Sequence, residues 1–252
     1  MRMAGSDSSA VLFDHRAPRA GRAARLRGAL LVSAIAALLV LPPLGRQTIT
    51  TSDEARFPLL ARDMIERGAW FDAYVREKQY RNKPPLYPWS IATLSLLSGR
   101  VTEATAQLPV ALAAIGAALF TFLLGDRLFN ARTGLWAGVI LATSYGFFQH
   151  SQKILPDMLV VCFAAAAGYA FWRATGQHPS RWALVFFYAA LAFGVFAKGP
   201  VGLLPLLAAA VWLWTEERWS GLKRLWNPLG VMIFGIVTGT WLGPFLVLGT
   251  ES

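Results

Sequence analysis

Asp53 and Glu54 are adjacent carboxylates with Arg56 close behind, in Thr51-Ser52-Asp53-Glu54-Ala55-Arg56-Phe57, directly beyond the first strongly apolar segment of the chain. Charges at a bilayer edge must be solvated or paired, so this placement asks for a reason. Three more single charges stand where the chain meets other apolar runs: Lys83 in Tyr80-Arg81-Asn82-Lys83-Pro84-Pro85-Leu86, Asp157 in Leu155-Pro156-Asp157-Met158, and Lys198 in Ala197-Lys198-Gly199-Pro200. Cations grouped with carboxylates suit transfer from a phosphate-linked donor. Negative charge builds on the departing phosphate, and a fixed cationic clamp stabilises it more in the transition state than in the ground state. A carboxylate within hydrogen-bond reach can meanwhile orient or deprotonate an acceptor hydroxyl. Each residue also has a plainer reading. Lys83 can snorkel to lipid phosphates, Asp157 can cap a helix and Lys198 can offset a helix C-terminus. Convergence on one side of a membrane favours the chemical reading, and that depends on topology.

The composition, 55% hydrophobic and 15% charged in 252 residues, points to an integral membrane protein rather than one soluble core. The net charge of +10 does not argue for nucleic acid, because the basic residues flank apolar segments, where they orient a membrane protein. The one cysteine, Cys162, lies in an apolar run and excludes an intrachain disulfide. His15, His150 and His178 are far apart, without ligand spacing, so no metal is expected. Lys198-Gly199-Pro200-Val201-Gly202 lacks the upstream glycine and following hydroxyl of a nucleotide loop, and no cofactor is expected.

Residues 1–27 are polar, with Arg16, Arg19, Arg22, Arg25 and Arg27, and read as a cytoplasmic tail leading into a signal anchor that starts at Gly28. A cleaved signal peptide is the competing reading. Further spans are expected near 108–125, 134–148, 158–172, 182–197, 201–214 and 228–248, about seven in all, several shorter than the ~20 apolar residues of a perpendicular crossing. With the N-terminus inside, Arg127 and Arg132, Arg173 and Arg181, and Arg218, Lys223 and Arg224 all become cytoplasmic, whereas the opposite short connections hold only Lys153 and Lys198. The positive-inside rule then places Asp53, Asp157 and Lys198 together on the extracytoplasmic face. The apolar stretch 86–97 would invert this order if it crossed. It is short and begins beside prolines, so an interfacial or re-entrant helix is expected.

The loop 45–107 carries structure of its own. Phe57, Leu60, Ala61, Met64 and Ile65 recur at helical spacing, and Gly68 supplies a stop. An amphipathic surface helix is expected, beginning near Phe57 because proline is best tolerated at the first helical position, which leaves Asp53 and Glu54 in the preceding turn. Trp70, Tyr74, Tyr80, Tyr87 and Trp89 form an aromatic series at headgroup level.

Taken in order, Asp53-Glu54-Ala55-Arg56, Tyr80 with Lys83-Pro84-Pro85-Leu86, residues 100–108, Pro156-Asp157-Met158 and Lys198-Gly199-Pro200-Val201-Gly202-Leu203 resemble the N-terminal half of the aminoarabinose transferase and protein O-mannosyltransferase family of membrane glycosyltransferases. The resemblance covers nearly all of the chain after Arg46. It implies an all-α, polytopic GT-C-like helix bundle that transfers a sugar from a polyprenyl-phosphate donor to a lipid or protein acceptor, usually with inversion at the anomeric centre. It also implies Asp53 as principal catalytic carboxylate, with Glu54 and Asp157 completing the acidic set, and Arg56, Tyr80, Lys83 and Lys198 as contacts to the donor phosphate. Residues 28–252 are then the transferase-like membrane domain, in a bacterial inner membrane, with its site in the external loop. Two departures stand out. Asn82 replaces the acidic residue that often precedes the lysine in relatives, and relatives continue through more helices and a soluble external domain. A transporter or lipid-carrier binding protein, or an inactive fragment, remains the alternative. Transporter charges tend to lie at the midplane, whereas these are expected at one face.

Overall fold

The computed structural model describes residues 21–46, 49–68, 70–71, 74–75, 78–80, 83–176 and 179–249; for residues 75, 78, 79 and 244–249 it describes the backbone alone. Arg16, Arg19, His15, Asn82 and His178 lie outside the described residues.

Alanine-rich and leucine-rich runs give helices throughout. In chain order they are α1 (Arg22–Val40), α2 (Ser52–Arg67), α3 (Leu86–Ser98), α4 (Glu103–Leu128), α5 (Ala131–Thr143), α6 (Tyr145–Gln152), α7 (Asp157–Thr175), α8 (Arg181–Lys198), a 3-10 turn (Gly199–Leu203), α9 (Leu204–Lys223) and α10 (Pro228–Gly249). Two-residue strands, β1 (Tyr74–Val75) and β2 (Lys78–Gln79), pair antiparallel between α2 and α3. Four apolar helical stretches among the described residues are long enough to cross a bilayer: α1, α4, α7 and Arg181–Lys223, which contains α8, the 3-10 turn and α9. The chain is therefore an integral membrane protein.

Helices α4 and α7 form the centre, flanked by α1 and α5 on one side and by α8 and α10 on the other. Small residues make this close approach possible, since apolar side chains gain little by leaving lipid and helix pairing in a membrane rests on packing. Ala106, Ala111, Ala114, Ala117 and Ala118 of α4 and Ala166, Ala167 and Ala170 of α7 are all buried.

The first apolar helix starts at Arg22, ahead of the expected membrane entry at Gly28, so Arg22, Arg25 and Arg27 lie in its first turns. Two expectations are corrected. Helix α2 starts at Ser52, not near Phe57, and carries Asp53 and Glu54 in its first turn with Pro58 inside. A Thr51 cap and two first-turn acids on the helix dipole favour the earlier start, although Pro58 brings no backbone donor for the Glu54 carbonyl. The expected span 134–148 is two helices, broken at Ser144, whose backbone is extended (φ −69°, ψ 135°). At 13 residues, or about 20 Å, α5 is shorter than the ~30 Å apolar layer.

Candidate active site

One apolar cluster draws on every helix that carries a proposed site residue. Phe57, Leu60 and Met64 from α2, Tyr87 and Ile91 from α3, Val110 from α4, Met158 from α7 and Ala197 from α8 form a single buried cluster, with Tyr80 packed at its edge. Asp157 and Lys198 are next in sequence to two of those members, so the cluster gathers the charged groups at one end of the bundle.

Helix α2 sends its two carboxylates in different directions, because neighbouring helical residues project about 100° apart. Asp53 faces outward with 58% of its side chain exposed, and its Oδ1 lies 2.8 Å from Nη1 of Arg56. An ion pair this exposed contributes only about 0.2–1 kcal/mol, which leaves both partners available to a ligand. Glu54 is buried instead. Its Oε2 accepts from the hydroxyls of Thr50 and Thr51, both at 3.1 Å, and its Oε1 from the backbone N–H of Ile154 at 3.4 Å. Thr51 Oγ1 in turn accepts the Glu54 backbone N–H, capping the helix. Burial pushes the Glu54 carboxyl up, but the hydrogen bonds from Thr51, Thr50 and Ile154 outweigh it and hold the group below the ordinary glutamate range. Glu54 thus ties the start of α2 to the turn that precedes Asp157.

The guanidinium of Arg56 lies 5.4 Å from the centre of the Tyr80 ring. The largest influence raising the Arg56 pKa is its side-chain contact with the Tyr80 oxygen, ahead of Asp53. That contact falls outside strict hydrogen-bond geometry, and the buried Tyr80 hydroxyl donates to no group among the described residues. A buried polar atom left in this state is costly and suits a site that a ligand completes. Lys83 places its Nζ 5.6 Å from the centre of the Phe57 ring of α2.

Asp157 is the first residue of α7, and the helix receives no side-chain cap. Its carboxylate is directed to the Lys198 ammonium, which it hydrogen-bonds. Lys198 ends α8, and the turn after it depends on two glycines. Gly199 has φ 77° and ψ −147°, a conformation open essentially to glycine alone. Gly202 packs so tightly on α8 that a Cβ there would stand 2.2 Å from the Gly194 carbonyl carbon.

The external loop is fastened to the same end of α8. The Trp89 indole donates to the Trp70 carbonyl at 2.7 Å and meets the rings of Phe71 and Phe196 edge-on at 5.2 and 5.4 Å. Most of the expected headgroup-level aromatics therefore also pack within the protein, and Tyr87 donates to the Ala106 carbonyl at 3.0 Å.

Two cavities flank the cluster. A polar one of about 550 Å³ lies between the start of α2 and α6, with Arg46, Glu54, Tyr145, Gln149 and Lys153 in its wall. An apolar one of about 520 Å³ lies between α3, α4 and α7, lined by Leu86, Trp89, Leu112, Leu159 and Phe163. Sequence reasoning missed Gln107, buried in α4, whose Oε1 accepts from Gly45 N at 2.7 Å and whose Nε2 donates to the Gln152 carbonyl at 3.3 Å. A lone amide at the entry to an apolar run was the available signal.

The profile of the dolichyl-phosphate-mannose-protein mannosyltransferase family matches residues 82–242. An undecaprenyl phosphate-alpha-4-amino-4-deoxy-L-arabinose arabinosyl transferase of Sodalis glossinidius is 28% identical over 204 residues, covering 79% of this chain and 36% of the relative. A second, from Erwinia tasmaniensis, is 27% identical over 222 residues, covering 85% of this chain and 39% of the relative. Among solved structures, ArnT from Cupriavidus metallidurans bound to undecaprenyl phosphate superposes with a TM-score of 0.80 at 24% identity, over 88% of this chain and 42% of that one. The S. cerevisiae Pmt1-Pmt2 complex bound to the sugar donor gives a TM-score of 0.64 at 18% identity, over 89% and 32%. The structural matches establish a shared GT-C-like fold, and the chain spans little more than a third of the length of the curated relatives it matches. With the family profile matching well over half of its residues, this chain belongs to the dolichyl-phosphate-mannose-protein mannosyltransferase family.

Proposed function

We propose that this chain is the donor-binding and catalytic part of a membrane glycosyltransferase that takes a sugar from a polyprenyl-phosphate carrier and passes it to a lipid or protein acceptor. The observation that carries the reading is the exposed Asp53–Arg56 pair beside a buried Tyr80 hydroxyl that donates to no described group, next to an apolar cluster whose members touch Lys83 and adjoin the Asp157–Lys198 pair.

In this mechanism the sugar is bonded through its anomeric carbon to the carrier phosphate. The acceptor oxygen attacks that carbon, and the bond to the phosphate oxygen breaks with its electron pair. Arg56, Lys83 and Lys198 stabilise the charge that collects on the leaving phosphate, and Tyr80 donates its free hydroxyl to it. Asp53 orients the acceptor hydroxyl and accepts its proton; for an acceptor that is itself a phosphate, it positions only. Asp157 holds Lys198 in place, and Glu54 aligns α2. The apolar cavity beginning at Leu86 and Trp89, just beyond Lys83, suits the prenyl tail. No residue in this account calls for a metal or cofactor.

The excess of arginine at the end of the bundle away from Asp53 supports an orientation with the site on the extracytoplasmic side of a bacterial inner membrane. The test is to incubate full-length protein in membranes with labelled polyprenyl-phosphate sugar and follow release of the free carrier phosphate. Release that depends on acceptor and stops in Asp53→Asn supports the reading. Carrier bound intact and never cleaved would make the protein a lipid-carrier binder instead.

A further inference from the structure

At the end of the bundle opposite Asp53, a cavity of about 360 Å³ opens between α4, α7 and α8, and the transfer chemistry makes no use of it. One wall is aromatic: Phe120 lies 6.2 Å from Tyr169 and 6.0 Å from the partly exposed Phe186, centre to centre. Its rim carries Trp182, 74% exposed, with Ser180 and Arg173. Arg173, in the last turn of α7, has no ion-pair or hydrogen-bond partner among the described residues. At this end Asp126 is engaged by Arg25 and Glu217 by Arg224, and no ion pair joins Arg173 to Glu216 among the described residues. The cavity thus offers a guanidinium unpaired among the described residues, beside an aromatic wall and an exposed tryptophan.

We propose that this cavity is a binding site for a single anionic phospholipid, with the headgroup phosphate on Arg173 and Ser180 and the start of an acyl chain against Phe120 and Phe186. A guanidinium recognises phosphate through paired, charge-assisted hydrogen bonds, and Tyr and Trp suit the depth where headgroup meets hydrocarbon. Offsetting the α7 dipole would need only a cation in the last turn, not an aromatic cavity beneath it. The committed occupant is a membrane lipid rather than free phosphate, because most of the lining is apolar.

Native mass spectrometry of the full-length protein, titrated with phosphatidylglycerol or phosphatidylcholine, tests this independently of the sugar-transfer reading. Wild type should retain one phosphatidylglycerol in preference to phosphatidylcholine. Arg173→Gln should weaken that retention about tenfold, the loss of one charge-assisted contact to phosphate. Trp182→Ala, at an exposed position tolerant of change, should weaken both lipids together. Arg132→Gln removes an equal charge from the same end outside the cavity and should leave retention unchanged. The proposal fails if Arg132→Gln loses as much as Arg173→Gln, if Arg173→Gln binds like wild type, or if millimolar inorganic phosphate displaces the lipid.

Discussion

Of the three arginine–aspartate pairs among the described residues, two stand at opposite ends of the bundle, sharing a chemistry and differing in burial. At one end Arg56 holds Asp53 at 2.8 Å with the carboxylate 58% exposed; at the other Arg25 holds Asp126 at 2.6 Å with the carboxylate 2% exposed. The exposed pair contributes little to folding and can exchange its partner for a ligand. The buried pair cannot, because removing one member strands a charge away from water. Geometry alone would rank the two as equals, and solvent access separates a carboxylate open to a ligand from one closed within the bundle.

Substitutions can break that contrast. In full-length protein, Asp53→Asn should reduce transfer by about 10²- to 10⁴-fold, the range for a positioned acid or base, with membrane insertion and melting temperature unchanged. Near-normal turnover would remove Asp53 from the mechanism. Arg25→Gln should behave in the opposite sense, lowering stability by about 3–5 kcal/mol while the surviving folded fraction keeps its donor affinity. Denaturant melts paired with donor binding would read both, and a purely catalytic defect would contradict the assignment. Gly202→Ala sharpens the comparison by disturbing position without touching charge. Its Cβ would meet the α8 backbone, and overpacking costs about 1–3 kcal/mol or more, so donor affinity and stability should fall together as Lys198 shifts.

Smaller effects come from single contacts. Lys83→Met should weaken binding of undecaprenyl phosphate about tenfold, a loss that rising salt should mask in part. Glu54 gives a pH dependence. Its folded pKa is depressed, so its contribution is complete above the unfolded value near 4.3 and disappears as pH falls through the lower folded value. Glu54→Gln should therefore be less stable than wild type at neutral pH, with the gap closing in acid. A gap independent of pH would show that the packing of the side chain, not its ionisation, matters.

The helical class and the location of the apolar segments were legible from hydropathy, which registers burial in lipid directly. So was the convergence of α7 and α8, since an N-terminal Asp157 and a C-terminal Lys198 on antiparallel neighbours must share an end. The start of α2 was misread because a proline rule was set against a capping signal, Thr51 with acids behind it, and the cap prevailed. The break at Ser144 was hidden in a run whose composition stays apolar on both sides. The different environments of Asp53 and Glu54 were beyond a linear reading, because Glu54 is buried by Ile154, a residue distant in sequence.

The Trp89 contact with Phe196 bears on how the protein is made. The indole's contacts with Trp70 and Phe71 leave the ribosome with it, whereas its contact with Phe196 forms only when the tip of α8 has come into place. During synthesis the early part of the chain can insert and wait without assembling the charged cluster. The Phe196 contact and the Asp157–Lys198 pair therefore both close late, once the last residues of α8 are in place.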